Sequence, residues 1–255
     1  MSRPQTILCF APSDWWEMNP SCTTHLMKYL SKIYRVIYVN PFSSDLTVNL
    51  GSSSQRSGLT TRIVRKMKSM FRFVRKIHSS LYVISPFFLP FQGVPWLDRL
   101  NNFLITIQLK TLLRCLGVRR PILWIENLRS ADFLNTFYSS GIIYHMSDLF
   151  TKDSYTAAST LLRRREQAIL NAADLVICVS QSLYELTDGR HPRRYYIPHG
   201  VDYHLFKEAA EKKENIEELQ GVSHPIVGYF GTLTAHNDIE LLEYCATHLP
   251  TYTFI

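Results

Sequence analysis

RRREQAILNAADLVICVSQSL, residues 163–183, joins two patterns in one stretch. Its first half is rich in strong helix formers. Its second half, DLVICVS at 174–180, is apolar without the alternation of a half-exposed strand. A run that is apolar on both sides reads as a strand covered on both faces, as in a parallel sheet flanked by helices. Ser180 is placed to cap whatever helix follows.

The same alternation recurs toward both ends of the chain. Short apolar runs lie at TILCF (6–10), RVIYVNP (35–41), LYVIS (81–85), ILWIEN (122–127) and IIYHMSD (142–148). Helix-length segments separate them at 22–32, 95–116, 129–138 and 155–172. Short apolar strands alternating with helices predict an α/β fold, a Rossmann-like parallel sheet with helices on both faces. In such a sheet the loops leaving the carboxyl ends of the strands line the ligand crevice. That rule selects residues 13–21, 126–130, 145–151 and 180–182, although each is equally readable as a polar turn or helix cap.

Composition narrows the class. The 255 residues are 46% hydrophobic and 19% charged, an ordinary globular balance. No run of about 18 apolar residues marks a membrane span. The amino terminus has too short an apolar stretch for a signal peptide, and the five cysteines share no metal-ligand spacing. A cytoplasmic location, free thiols and no metal site are the expectation.

The net charge of +7 is concentrated. RIVRKMKSMFRFVRKIH (62–78) holds seven of the 28 basic residues and none of the 21 acidic ones. Its apolar residues fall at helical spacing, which predicts a basic amphipathic helix. Arg65, Lys66, Lys68, Arg72, Arg75 and Lys76 become candidates for contact with an anionic membrane surface. A merely solvated helix face is the competing reading. Nucleic acid is not expected, because basic and acidic residues balance over the rest of the chain.

RRYYIPHGVDYHLF (193–206) runs a short strand into Pro198, His199, Gly200 and Asp202. Pro198 ends the strand, and Gly200 is expected to permit a backbone conformation that other residues resist. Residues 207–224 are highly charged and read as a linker or surface helix. PIVGYFGTLTAHNDIELLEYCATHLPTYTFI (225–255) then opens a second unit of strand, glycine turn, helix and strand.

Four motifs in this order resemble the GT-B glycosyltransferases, in particular the retaining family 4 type. IPHGVDYHLF (197–206) is similar to that family's I-P-N-G-V-D-x-x-x-F segment, with His199 in place of Asn. IIYHMSDLF, EQAILNAADLVICVSQSL and the stretch from Pro225 resemble the neighbouring family motifs. The resemblance covers most of residues 120–255 and, more loosely, 5–45 and 81–116. It implies an acceptor-side domain at 1–206, a linker at 207–224 and the start of a donor-side domain at 225–255.

The resemblance also implies a nucleotide-diphosphate sugar as donor substrate, no tightly bound cofactor, and a glycan or lipid-linked acceptor. Asp14, Trp15, Trp16, Glu126, Asn127, His145 and Asp148 would face the acceptor, and Gly231, Thr232 and His236 the donor. Trp15 and Trp16 suit stacking on a sugar and are equally readable as a packed loop plug. Two departures from the family pattern stand out. GTLTAHND (231–238) lacks the Arg and Lys that many relatives place after this glycine. The family's paired-glutamate segment would fall beyond residue 255, so the chain is expected to be incomplete and no catalytic residue is assigned. The function implied is glycosyl transfer in polysaccharide or glycolipid assembly at the cytoplasmic membrane face. The alternative is a non-catalytic glycan- or membrane-binding protein. A dinucleotide enzyme is disfavoured, because the first strand is not followed by Gly-x-Gly-x-x-Gly.

Overall fold

Each of the six apolar runs forms a strand. The computed structural model describes residues 5–16, 21–42, 73–89, 94–149, 157–212, 219–231 and 237–255. Contacts divide the chain into two units, Met1–Gly200 and Val201–Ile255.

The first unit contains β1 (Thr6–Phe10), α1 (Cys22–Leu30), β2 (Arg35–Val39), β3 (Val74–His78) and β4 (Leu81–Ile84). There follow α2 (Pro95–Cys115), β5 (Ile122–Ile125), a 3-10 segment (Leu128–Phe133) and β6 (Gly141–Met146). The unit closes with α3 (Ala157–Ala172), β7 (Leu175–Cys178), α4 (Gln181–Leu186) and β8 (Arg194–Tyr196). These strands form one sheet in the order β3-β4-β2-β1-β5-β6-β7-β8. All neighbours are parallel except β3, which pairs antiparallel with β4 at one edge. The fold is α/β and Rossmann-like.

Both faces of the sheet are covered. On one, Leu8, Phe10, Ile37, Leu123, Tyr144 and Val176 pack against residues of α2, the 3-10 segment and α3. On the other, Cys9, Tyr38, Val83 and Trp124 pack against Met27 of α1 and Trp15. Helix α2 starts with Pro95 in its first turn, where the missing N–H costs nothing, and has Arg114 in its last turn, where a cation suits the helix dipole. It buries Leu97, Asn101, Ile105, Leu109 and Leu113, a single stripe at four-residue spacing. The polar member of that stripe is satisfied: Asn101 accepts from the Leu89 N–H at 2.7 Å and donates to the Leu89 carbonyl at 3.1 Å.

Two expectations are corrected. The predicted basic helix is a strand over its described part. Arg75 and Lys76 lie on β3, every residue of which is exposed, while Arg65, Lys66, Lys68 and Arg72 lie outside the described residues. Val74, Arg75, Lys76 and His78 find partners on β4 across a tight turn at 79–80, and this pairing overrides the local helical pattern. The cations on this edge also hinder strand-to-strand aggregation. Gly200, in turn, is not among the glycines with positive φ, and a Cβ there would meet only open space. Its backbone conformation is one that other residues adopt.

The second unit holds α5 (Tyr203–Lys212), β9 (Ile226–Val227), α6 (Ile239–His248) and β10 (Thr253–Phe254), with β9 and β10 parallel. Asp238 caps α6 by accepting from the Leu241 N–H at 2.9 Å. None of its described residues is buried.

Phe10 sits at the centre of the larger core, 5.9 Å from the Phe133 ring and 6.2 Å from Phe42. Phe10→Ala is expected to lower stability by about 3–5 kcal/mol, read as a shifted urea midpoint at constant slope.

Candidate functional site

Strand order reverses between β1 and β5, so the loops that follow them diverge and leave a crevice at their carboxyl ends. The described residues of the β1 loop are tied down by hydrogen bonds. Ser13 Oγ donates to Ser21 Oγ at 2.6 Å, and the Tyr38 hydroxyl donates to the Ser13 carbonyl at 2.8 Å. Burial, with a smaller contribution from Cys9, pushes the Tyr38 phenol well above its ordinary pKa, so it remains a donor. Trp15 donates its backbone N–H to Asn40 Oδ1 at 2.9 Å, and its ring packs edge-on against Tyr38 with centroids 5.0 Å apart. At 8% exposure this tryptophan is the loop plug.

Trp16 is the tryptophan of this loop with an accessible surface, at 37% exposure. Its N–H is held by Asp14 Oδ1 at 3.0 Å, an oxygen that also accepts from Asn40 Nδ2 at 3.2 Å. Arg75 of β3 lies over the Trp16 ring, 5.2 Å from its centroid. An arginine assigned from sequence to a membrane helix therefore sits beside the β1 loop.

On β5 and β6, Glu126 and His145 are brought together. Ile125 pairs with Tyr144, so the next position sets Glu126 beside His145. Glu126 Oε2 accepts from Thr23 Oγ1 of α1 at 2.6 Å and lies 3.1 Å from His145 Nδ1. The approach to the imidazole has ion-pair distance but lacks hydrogen-bond alignment, leaving that nitrogen without a directed partner. Both side chains are nearly inaccessible, with Glu126 at 2% and His145 at 4%. They stand behind the crevice wall rather than on its surface. Cys22, the first residue of α1, meets His199 of the loop after β8, with Sγ and Nδ1 3.0 Å apart. The Cys22 thiol is raised by burial and then by the Glu126 charge, against an opposing hydrogen bond from the Gly200 backbone.

The remaining strand ends divide between structure and surface. Asn127 accepts from the Arg129 N–H at 2.9 Å and caps the 3-10 segment. Asp148 is exposed and lines an open pocket of about 370 Å³ with Ser147, Leu149, Ser180, Ser182, Leu183 and Leu186. Ser180 caps α4, accepting from the Leu183 N–H at 3.2 Å. In the second unit Gly231 has a φ of 155°, and a Cβ there would come within 3.0 Å of the Tyr229 hydroxyl. Thr232 and His236 lie outside the described residues. Among the described residues no group of three or more His, Cys, Asp or Glu is placed to hold a metal ion.

Sequence reading missed Thr23, Cys22 and Asn40. Thr23 and Cys22 open a helix, where polar residues read as ordinary first-turn chemistry, and only their tertiary contacts, Thr23 with Glu126 and Cys22 with His199, distinguish them.

Comparison with known proteins now adds a fold. No family model and no curated protein matches the chain. Among solved structures it is similar to sucrose-phosphate synthase from Thermosynechococcus elongatus, at 14% identity over 98% of this chain, with a TM-score of 0.64. The likeness is one of fold, of the GT-B type. This chain spans 61% of the length of that structure. A second structure of sucrose-phosphate synthase from the same organism is 12% identical over 82% of this chain and 96% of its own, at a TM-score of 0.46.

Glu126 raises the Cys22 pKa, so removing its charge lowers that pKa and increases the thiolate fraction at fixed pH. Glu126→Gln is expected to speed iodoacetamide labelling of Cys22 severalfold at about pH 8, with exposed Cys115 as the unchanged internal reference. Peptide-resolved mass spectrometry follows both thiols in one sample.

Proposed function

We propose that the chain is the acceptor-side part of a nucleotide-sugar-dependent glycosyltransferase of the retaining family 4 kind, together with the start of its donor-side domain. The observation that carries this is architectural. A Rossmann-like unit ending at Gly200 is followed by a second α/β unit from Val201, and the similarity to sucrose-phosphate synthase covers 98% of the chain at a TM-score of 0.64. The proposed setting is polysaccharide or glycolipid assembly at the cytoplasmic membrane face. Among the described residues no helix is long and apolar enough to cross a membrane.

In glycosyl transfer an acceptor hydroxyl attacks the anomeric carbon of the donor and the nucleotide diphosphate leaves. The enzyme's task is to hold the acceptor, exclude water and stabilise the charge that develops on the diphosphate. On this reading Trp16, with Arg75 over its ring, offers the acceptor sugar a stacking surface. Asp14 fixes the backbone of that surface and Asp148 supplies an exposed carboxylate to sugar hydroxyls. Glu126 and His145 act through position, tying β5 and β6 to Thr23 of α1 beneath the crevice. Gly231, Thr232 and His236 are proposed to approach the donor diphosphate. The sequence from Tyr229 to Asp238 contains no Lys or Arg, so a neutral or protonated His236 and backbone N–H groups would carry that role. The same feature favours the second reading, a protein that binds glycan without transferring sugar.

Calorimetric titration of the whole chain with short oligosaccharides and with nucleotide-diphosphate sugars tests both readings. Glycan binding weakened about tenfold in Trp16→Ala, the scale of one lost aromatic contact, together with nucleotide-sugar binding, is the expected result. Glycan binding alone supports the second reading, and binding of neither ligand overturns both.

A further inference from the structure

Helix α2 carries an outward face that a solvated helix does not need. Opposite its buried stripe lie Trp96, Arg99, Phe103, Ile107, Lys110 and Arg114, all exposed. At 100° per residue these six fall within a sector of about 80°, along a line about 27 Å long. The apolar members are far from buried, with Trp96 at 65% exposure, Phe103 at 59% and Ile107 at 47%. No acidic residue occurs from Arg99 to Ile125. The acid just before that stretch, Asp98, is bound to Arg129 at 2.9 Å.

The stripe ends in a pocket. Lys110, Arg114 and Arg119 surround a recess of about 280 Å³ lined by Leu113, Val118 and Phe137. The Tyr138 ring forms a wall and is itself covered by Arg120, 4.6 Å from its centroid. Among the described residues Lys110, Arg114 and Arg119 form no ion pair. Cations around an apolar floor match a phosphate group attached to an apolar body, and the stripe beside them extends both properties along the helix.

We infer that the outward face of α2, with the cationic pocket at its carboxyl end, docks on an anionic phospholipid surface. Tryptophan and large apolar side chains interleaved with cations suit the headgroup boundary, where rings and methyl groups enter the acyl region while guanidinium and ammonium groups stay at phosphate depth. Nucleic acid would not use the three apolar side chains, and charge complementarity selects an acidic occupant. The inference extends the membrane setting proposed above and rests on it for the choice of surface. It places contact on α2 rather than on the segment at 62–78. The first turn of α2 is also tied to the β5 loop through Asp98 and Arg129, which brings the Trp96 end of the stripe toward the edge of the sheet where the crevice lies.

Flotation of the whole chain with vesicles of phosphatidylcholine, with and without about one third phosphatidylglycerol, tests the inference. Expected is binding to the anionic vesicles alone. It should fall at least about tenfold in Trp96→Ser/Phe103→Ser/Ile107→Ser, and severalfold in Arg114→Gln/Arg119→Gln, while Lys76→Gln leaves it unchanged. The substituted side chains are exposed, and an unchanged circular-dichroism melt identifies folded variants. Four results would each overturn the inference: undiminished binding by the α2 variants, equal binding to neutral vesicles, saturable binding of inorganic phosphate with no vesicle binding, or a dimer that the triple variant dissociates. Glycan titration of the same variants separates this inference from the proposed transferase. Loss of vesicle binding with intact glycan binding localises docking to α2, and absence of glycan binding leaves the vesicle result standing by itself.

Discussion

β1 is the constraint on which the first unit depends. It is hydrogen-bonded to β2 along one edge and to β5 along the other, and every one of its residues is buried. A strand with both edges paired and both faces covered admits neither a charge nor a slip of register, because a one-residue shift would exchange the residues of the two cores. Leu8 and Phe10 belong to one core and Ile7 and Cys9 to the other. The loop that leaves this strand starts from a fixed point, and the Ser13, Ser21 and Tyr38 hydroxyls carry that fixity three residues further.

Glu126 transmits the same order to the crevice. A carboxylate at 2% exposure is costly to desolvate, and the cost is offset when its oxygens receive hydrogen bonds. Thr23 supplies the hydrogen bond from α1, and His145 supplies the adjacent imidazole from β6. Three elements distant in sequence thus meet at one oxygen. An apolar residue could fill the volume, but it would not fix the rotation of α1 against β5 and β6. The group therefore acts on the geometry of the wall rather than as a surface ligand, which separates it from Trp16 and Asp148.

The strands and helices of the first unit were legible because burial on both faces writes a simple pattern. An unbroken run such as LVIC at 175–178 admits few other readings once helices flank it. The pattern fails at the edge. VRKIH at 74–78 is exposed, so its apolar residues report no buried face, and the hairpin partner that makes it a strand is a tertiary fact. Trp15 and Trp16 show the same limit within one loop. Adjacent and identical, they differ because Asn40 and Tyr38 wait on β2 and its end to receive one of them. Neighbouring residue types marked the loop as a site candidate, but only the fold shows which ring is accessible.

Charge is the property that sequence located well and assigned poorly. Residues 62–78 and 99–125 together hold twelve basic residues and no acid. Removing these from the 28 leaves sixteen basic residues against 21 acidic ones, so the remainder of the chain is acidic. A basic pI thus describes two local stretches of an otherwise acidic chain, and the fold gives their described parts different surroundings. The described end of the first is an edge strand whose Arg75 turns to Trp16. The second is a helix whose inward stripe is fully committed to the core. Because that commitment fixes α2 rotationally, its outward residues cannot turn away from solvent, and Trp96, Phe103 and Ile107 stay presented beside the cations at all times. A surface whose backbone the core holds in place needs no backbone ordering when it meets an anionic partner, which removes one of the costs that weak association must overcome.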